Sequence, residues 1–539
     1  MKKLNINISL VVIFSFLTIS CSKDFLEREA ATSIPEEAIF DDPALIQLFV
    51  NQMYADVPAF DHDLYDNVTD ESRNFWGGNP LNVIRGQWFA DNNPMDYWAF
   101  DPVRRTNMFL AKVDESALEG DEKTVLTGQV KFLRAKLYFD MAKRYGGVPI
   151  ITVPQTQDDD LFVSRASTDE TFAFVVKELE EAVELLPESY GDRNIDVGKI
   201  NKHSARAFLG RVQLFWASEL YNPNHDANRW QAAAATNKAV IESGVYALHP
   251  DFRRIMLDKN NEEEVFSVQF LKTLKEHGWD SWAMPDSRSR QDASRRSPVQ
   301  ELVDAFEMKN GKPITDPASG YDPGNPYVNR DPRFDATLIV NGSVFGYQGL
   351  PVYTYVGGAD GINIPYQTVT GYLMRKGTDE SNQDYYGGVG SDQNWQELRY
   401  AEVLLNYAEA QNETLNIPDG SVYEAVEAIR KRAGLDPYQL AAGLTKEQMR
   451  EVIRHERYVE LCFEQKRYWD LRRWKIAAEV LDGKQFGAMY ITRVAEDTYT
   501  YERKPVDGVP CVFQEKMYFM PIPQREMEKN PNLVQNEGW

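Results

Sequence analysis

Apolar residues recur at steps of three and four positions along most of this 539-residue chain, and this period constrains its fold more than any other feature. Such steps place apolar side chains on one face of an α-helix, where they form a stripe that must pack against another element. The sequence therefore predicts a mainly α-helical fold. The clearest stripes comprise Leu126, Val130, Leu133, Leu137 and Met141; Phe172, Val176, Leu179, Val183 and Leu186; Leu398, Ala401, Leu405 and Ala408; and Val452, His455, Val459 and Phe463.

The predicted helices come in pairs with short connections, at 35–250 and again at 396–482. Small and aromatic residues alternate on their facing sides, which is typical of tetratricopeptide-like pairs that stack into a curved scaffold. We predict one body over 21–539, made of an N-terminal helical half (21–254), a variable loop-rich segment (255–395) and a C-terminal helical half (396–539).

The variable segment is rich in Pro, Gly, Asp and Tyr and has few helical stripes. Two short runs, 264–270 and 336–340, have the pattern of strands. The remainder is predicted as long structured loops. Because binding residues tend to lie on loops held by a rigid scaffold, we expect this segment to shape a binding face.

The N-terminus has the pattern of an export signal. Lys2 and Lys3 form a short basic region, the apolar run 8–19 follows, and Cys21 comes almost directly after it. The run is too short for a membrane-spanning helix, which needs about 20 apolar residues. We therefore predict that residues 1–20 are a signal peptide and that Cys21 is acylated, so that the chain is anchored to a membrane. A secretory signal with an incidental cysteine is the alternative.

Composition excludes one class of partner. The formal net charge is −23, and a chain this acidic repels the phosphates of nucleic acids, so no nucleic-acid partner is expected. Besides Cys21 the chain contains only Cys462 and Cys511. It therefore has no disulfide framework and no Cys-x-x-Cys metal site. The sequence leaves open whether these two thiols are free.

No catalytic motif is found in the sequence. It has neither a Gly-x-Ser-x-Gly elbow nor a Gly-x4-Gly-Lys phosphate loop. His455-Glu456 begins like a zinc-protease motif, but Val459 stands where the second His is required. We therefore expect no catalytic residues, no cofactor and no metal. A carboxylate pair for glycoside hydrolysis has no sequence signature, so a surface glycoside hydrolase remains a rival hypothesis.

Six segments carry motifs of a known family, in family order and over nearly the whole chain. They are 132–151, which ends in Gly-Gly-Val-Pro; 201–217; 398–413; 428–435; 455–474, with Glu-Arg and then Asp-Leu-x-Arg-Trp; and 521–539. Together, behind a lipoprotein signal, they resemble the SusD/RagB family of outer-membrane nutrient-binding lipoproteins of Bacteroidetes. Two positions depart from the family pattern: Gln465 replaces a Gly, and the chain ends Asn-Glu-Gly-Trp where Asn-Pro-Gly-Tyr is commoner.

The resemblance implies a SusD-like fold and a binding function without catalysis. Family members capture oligosaccharides outside the cell and pass them to a SusC-like TonB-dependent transporter. We therefore expect an oligosaccharide or polysaccharide ligand, a SusC-like partner, and a lipid-anchored position on the outer face of the outer membrane. Three rival hypotheses remain: a family member that captures peptides, a surface glycoside hydrolase, and an assembly protein without a ligand.

Aromatic residues in polar, loop-like settings are the predicted ligand platform. Sugar rings place flat C–H faces on such side chains, while their hydroxyls seek polar partners. Packing within the loops is the alternative for each ring. The resemblance implies only that the N-terminal loops and the variable segment face the ligand. The candidate rings are Trp76, Trp88, Trp279 and Trp282, and the candidate polar partners are Asp70, Arg73, Asn74 and Arg85.

Two charged clusters have competing interpretations. Arg288, Arg290, Arg295 and Arg296 follow Trp282 and would suit an acidic sugar, although a solvated basic loop explains them equally well. In the last long predicted helix, charged residues recur at steps of one to four, and Glu464 and Arg467 are expected to pair on one face. We interpret the second cluster as an ion-pair network that stabilises the scaffold. Its members are Glu456, Glu460, Glu464, Arg467, Asp470 and Arg473.

Overall fold

The computed structural model describes residues 36–60, 64–74, 78–191, 196–285, 287, 295–383, 390–506 and 508–539. Cys21, Trp76, Arg288 and Arg290 lie outside these ranges. Within them α-helices dominate, so the predicted mainly α-helical fold is confirmed. The helices are α1 (Glu36–Phe40), α2 (Pro43–Ala55), α3 (Asn79–Ile84), α4 (Phe100–Lys112), α5 (Gly120–Tyr145), α6 (Thr168–Leu185), α7 (Lys202–Ala217), α8 (Ala227–Glu242), α9 (Trp279–Ala283), α10 (Gln300–Ala305), α11 (Arg333–Thr337), α12 (Tyr400–Thr414), α13 (Gly420–Ala433), α14 (Lys446–Glu460), α15 (Arg467–Arg473), α16 (Ala477–Leu481) and α17 (Gln524–Lys529).

The strands form antiparallel two-stranded ladders: β1 with β3, β2 with β8, β4 with β7, β5 with β6, and β9 with β10. Each of the two predicted strand runs contains a strand, because β2 lies within 264–270 and β4 within 336–340. The long β9–β10 hairpin lies in the half of the chain that was predicted to be helical. The strands are β1 (Ser72–Arg73), β2 (Glu264–Val268), β3 (Ser297–Pro298), β4 (Leu338–Ile339), β5 (Val344–Phe345), β6 (Leu350–Pro351), β7 (Leu373–Met374), β8 (Trp395–Arg399), β9 (Gly487–Ala495) and β10 (Thr498–Pro505).

The helices of the two ends of the chain form one continuous layer. Helices α5 to α8 pack each against the next, α8 packs against α12, and α12 contacts α13 and α14. The core between α5 and α7 is aromatic, because Phe208 meets Phe132 and Phe139 edge-on with ring centroids 5.2 and 5.6 Å apart. Burying each such ring stabilises the fold by about 1.5–3 kcal/mol. No helix within the described ranges is long and apolar enough to cross a membrane.

The Gly-Gly turn after α5 explains one family motif. Helix α5 ends at Tyr145, and Gly146 adopts φ +74°, a conformation that favours glycine. A Cβ atom on Gly147 would lie 1.8 Å from the carbonyl oxygen of Ala166. Only glycine therefore allows the chain to pass this close to the segment that leads into α6. That helix begins with a capping box between Ser167 and Glu170.

The predicted last long helix is interrupted. Helix α14 ends at Glu460, and the chain turns through Phe463 and Gln465, which have φ values of 61° and 59°, before α15 begins. The expected pair between Glu464 and Arg467 is therefore wrong, because the two residues do not share a helix face. Glu464 instead binds Arg399 and Lys376. At Gln465 the left-handed backbone explains why the family has a Gly there.

A buried ion-pair network is present around α14, as the charge pattern predicts. It connects α14 to β8 and, in the variable segment, to α11, which the pattern did not indicate. Arg399, at the end of β8, binds Glu460 at 2.7 Å and Glu464 at 2.8 Å. Arg333, in α11, binds Glu456 at 2.5 Å and Glu460 at 2.9 Å. All of these side chains are fully buried. Cys462 and Cys511 are buried thiols and form no disulfide.

Candidate functional site

The N-terminal loop and the variable segment, expected to form the ligand face, lie side by side. Strand β1 pairs with β3, which places Arg73 opposite Ser297. The side-chain amide of Asn67 donates to the backbone carbonyl of Arg295 at 2.9 Å, across 228 positions of sequence. Arg296 forms a buried ion pair with Asp66 at 2.8 Å. We call this region, residues 64–74 with 295–299, the junction.

Two predicted polar ligand partners are buried inside the junction. The Asp70 carboxylate accepts hydrogen bonds from Arg467 at 2.9 and 2.7 Å. Arg73 donates to the backbone carbonyls of Thr69 and Ser72 at 2.6 and 2.7 Å, and its guanidinium lies 4.5 Å from the Phe486 ring centroid. Both side chains bind other parts of the protein. They therefore hold the junction together and do not face solvent as the prediction required.

Two predicted platform rings are also core residues. Trp88 is 1% exposed and its ring centroid lies 4.6 Å from that of Trp539. Trp279 is 2% exposed, and its indole N–H donates to the backbone carbonyl of Lys376 at 3.1 Å. Neither ring has a free face for a sugar. The sequence Gly-Trp-Asp-Ser-Trp was expected to be a loop, but it forms α9, whose first turn points Trp279 inward.

Three candidates are accessible. Trp282, one turn after Trp279 in α9, is half-buried, and the Arg295 guanidinium lies 6.0 Å from its ring centroid. Asn74 is half-buried at the end of the N-terminal loop, and Arg85 is exposed after α3. Of the predicted platform rings that lie within the described residues, Trp282 is thus the one that is not fully buried.

A row of tyrosines that the sequence did not single out lies in the variable segment and the β9–β10 hairpin. Tyr353 and Tyr355 have ring centroids 5.8 Å apart, and Tyr355 and Tyr499 also lie 5.8 Å apart. Tyr353 is 38% exposed, and the other two are half-buried. The guanidinium of Arg493 lies 5.8 Å from the Tyr355 ring centroid. We call these three tyrosines with Arg493 the tyrosine row.

The hairpin positions Arg493 by strand alternation. Met489 and Ile491 are buried on one face of β9, and Arg493 continues that face where the strand leaves the core. Arg493 is directly opposite Tyr499 in the ladder, so the two side chains are cross-strand neighbours. The backbone N–H of Val356 donates to the carbonyl of Ile491 at 2.8 Å, which fixes Tyr355 beside them. A hydrogen bond with the Tyr355 phenol favours the charged guanidinium of Arg493 and therefore raises the pKa of this side chain above its usual value.

The tyrosine row belongs to the same region of the molecule as the junction. The backbone N–H of Ser287 donates to the Asp360 carboxylate at 3.2 Å. The backbone N–H of Val369 donates to the Ser297 hydroxyl at 3.3 Å. These bonds connect the loop that carries Tyr353 and Tyr355 to the segment that carries Trp282. Two sets of accessible aromatic rings, each with an arginine, therefore lie on neighbouring segments.

A charged cleft of about 250 Å³ borders the junction, and Phe60, Tyr65 and Tyr97 are among its lining residues. Its charged groups pair with one another: Lys136 binds Asp140 at 2.6 Å, and Arg211 binds Glu402 at 2.6 Å. A glycoside hydrolase needs one carboxyl group that stays protonated as the acid. Burial opposes ionisation here, but neighbouring cations outweigh it and lower the pKa of four carboxyl groups of the cleft, so these four are ionised and cannot act as that acid. They are Asp140, Glu397, Glu464 and Asp470.

Comparisons with known proteins agree with the motifs. Residues 262–539 match the model described as SusD family, and residues 24–214 match a second model described as starch-binding associating with outer membrane. The SusD-like protein P2 of Formosa agariphila is 23% identical over 572 aligned residues, which cover 99% of each chain.

Solved structures show the same fold. A SusD-like protein from Bacteroides fragilis superposes with a TM-score of 0.79 at 29% identity, covering 93% of this chain and 98% of the other. A SusD-like carbohydrate binding protein from the same species also has a TM-score of 0.79, at 25% identity, and covers 92% of this chain and all of its own. The helical layer described above is therefore shared with proteins of this type.

Proposed function

The chain belongs to the SusD family, and on this premise we propose that it captures an oligosaccharide at the cell surface and delivers it to a SusC-like TonB-dependent transporter. The observation that supports capture is the tyrosine row. Its rings offer flat apolar surfaces, and Arg493 offers hydrogen-bond donors beside them. This is the combination that a pyranose requires, since its C–H faces pack on rings while its hydroxyls bind polar groups.

Calorimetric titration of the purified protein with a panel of soluble polysaccharides and peptides tests this proposal. Tyr355→Ala and Tyr499→Ala should each weaken binding of the best glycan by about tenfold or more, because a buried ring at a binding site contributes strongly. Tyr438→Ala is the matched control. That tyrosine is also half-buried beside a cation, Lys431 at 5.6 Å, but it lies between α13 and α14 and does not belong to the tyrosine row. Binding of peptides and of no glycan would contradict the proposal and support the peptide-capturing alternative.

Anchoring through Cys21 completes the proposed function. The matched family description associates its members with the outer membrane, and the apolar run before Cys21 supports acylation there. An acylated Cys21 would hold the protein on the outer face of that membrane. Replacing Cys21 with Ala should move the protein from the membrane fraction to the soluble fraction. Retention of the variant in membranes after a high-salt wash would contradict this anchoring.

A further inference from the structure

Arg493 differs from the other arginine of the same hairpin in its partners. Arg503 in β10 forms an ion pair with Asp304 at 2.5 Å. Among the described residues no carboxylate forms an ion pair with Arg493, whose Nε–H donates to the carbonyl of Ala495 at 3.4 Å. The negative charge of Asp497, in the turn, favours the charged form of Arg493 and raises its pKa, but the two side chains form no ion pair. Arg493 therefore keeps its charge available to solvent beside the tyrosine row.

The same combination occurs a second time on the neighbouring segment. Trp282 is half-buried, and the Arg295 guanidinium lies 6.0 Å from its ring centroid. Aromatic ring and guanidinium thus lie together at both accessible sets. A planar guanidinium binds a carboxylate or a sulfate with two parallel hydrogen bonds, which a neutral hydroxyl does not match.

The acidity of the whole chain does not exclude an anionic ligand at this place. Its net charge of −23 is spread over a large molecule. At physiological ionic strength, interactions between exposed charges are screened beyond roughly 8 Å. The charges that decide binding of an anionic group are therefore the local ones. Beside the tyrosine row these are Arg493, which lies against the Tyr355 ring, and Asp497, which forms no ion pair with it.

From this arrangement we infer that the captured glycan is anionic, with a carboxylate- or sulfate-bearing sugar placed on Tyr355 and Tyr499 and its anionic group at Arg493. This inference rests on the proposed glycan capture and adds the substrate class.

The test compares glycans that differ only in charge. A native uronan is paired with its carboxyl-reduced form, and a sulfated galactan with its desulfated form, each titrated at 50 and 200 mM salt. At least one anionic polymer should bind at least tenfold more tightly than its neutral counterpart, and its affinity should fall with salt. Arg493→Gln should remove that preference, whereas Arg493→Lys should keep part of it. Arg503→Gln, which removes the same charge from the same hairpin, should leave the preference unchanged.

The outcomes separate the two proposals. Equal binding of charged and neutral forms, or an unchanged preference in Arg493→Gln, overturns the anionic class while glycan capture stands. Failure of every glycan to bind overturns both. Equal losses in Arg493→Gln and Arg503→Gln overturn the placement of the anionic group at the tyrosine row, because they indicate a general effect of net charge.

Discussion

Trp279 and Trp282 are three positions apart in one short helix but have different environments. The Trp279 ring is enclosed, with Phe60 at 5.2 Å and the Arg296 guanidinium at 4.7 Å, whereas Trp282 is half-buried. Trp279→Ala should therefore lower the free energy of unfolding by about 3–5 kcal/mol, as expected for a large core side chain. Trp282→Ala should cost much less and should weaken glycan binding. Urea unfolding followed by circular dichroism, with parallel titrations, compares them; equal losses of stability would contradict this assignment.

The sequence did not reveal which tryptophan is accessible, because the residues that cover Trp279 are distant along the chain. Phe60 and Lys376 contact it from the N-terminal loop and from the far end of the variable segment. Local polarity around Gly-Trp-Asp-Ser-Trp therefore indicated exposure for both rings. The tyrosine row was missed for the same reason, since Tyr355 and Tyr499 meet only after the chain folds. Burial of Asp70 and Arg73 likewise depends on distant partners.

Gln465 is a residue in a backbone conformation that favours glycine. Its φ of 59° costs a non-glycine residue about 1 kcal/mol. Gln465→Gly should therefore raise the free energy of unfolding by about 0.5–1 kcal/mol, even though glycine also increases the entropy of the unfolded chain. Gln47→Gly is the control, because the same change inside helix α2 should destabilise by about 1 kcal/mol. Chemical denaturation of both variants measures whether each change raises or lowers the free energy of unfolding. A lower value for Gln465→Gly would contradict the argument.

At the level of elements, the sequence predicted the helices, which depend on the local spacing of apolar residues. It missed features that depend on contacts between segments or on a turn of the backbone. The helices α5, α6, α7 and α12 follow from their apolar stripes and from stops such as Gly146-Gly147. The break after α14 was missed because the stripe continues in sequence through Val459 to Phe463 while the backbone turns. In the β9–β10 hairpin, the alternation Thr498-Tyr499-Thr500-Tyr501 was a legible strand signal.

The connection between strand β8 and helix α14 depends on Arg399. Its guanidinium binds Glu460 and Glu464, and also Glu263 at 2.5 Å. Arg399→Met leaves three buried carboxylates without this cation, so it should lower the free energy of unfolding by about 3–5 kcal/mol. Arg254→Met, which removes an exposed pair with Asp258, is the control and should change stability little. Equal unfolding midpoints for the two variants in urea would show that the network does not stabilise this connection.

For the molecule as a whole, stability should be greatest near pH 5. Burial opposes ionisation of Glu397 and Glu464, but neighbouring cations outweigh it and hold both pKa values at about 2. These pKa values lie below those of the unfolded chain, so their contribution is present above about pH 4.5 and is lost as the pH falls toward 2. Burial raises the pKa of Asp280 to about 6 and of Glu307 to about 7. Their folded forms favour the proton, so these two acids lower stability as the pH rises from about 4 to 7. Burial also lowers the pKa of His277 to about 4, and this single opposite contribution is smaller than that of the two acids together.

Thermal unfolding between pH 2 and pH 8 measures this profile. The melting temperature should pass through a maximum. Its fall at low pH is caused by protonation of the ion-paired carboxylates, and its fall at higher pH by ionisation of the buried carboxyl groups Asp280 and Glu307. Glu307→Gln should flatten only the side above pH 5, since an amide does not titrate. A melting temperature that rises steadily from pH 5 to pH 8 would contradict the role of the buried acids.

The arrangement of the whole molecule at the cell surface is the last prediction. The family resemblance implies that a SusD-type protein sits as a lid on a barrel transporter, and a binder held beside a pore raises the local concentration of cargo at its entrance. A lid must hold its partner over a broad surface, and stable protein–protein interfaces bury roughly 1,600 Å². Extraction of native membranes should therefore co-purify this protein with a TonB-dependent barrel encoded nearby. Deletion of that barrel should abolish glycan uptake while surface binding by this protein persists. If the protein is extracted alone in several mild detergents and uptake continues without the barrel, delivery to a transporter is contradicted, and a free-standing surface binder explains the fold and the tyrosine row better.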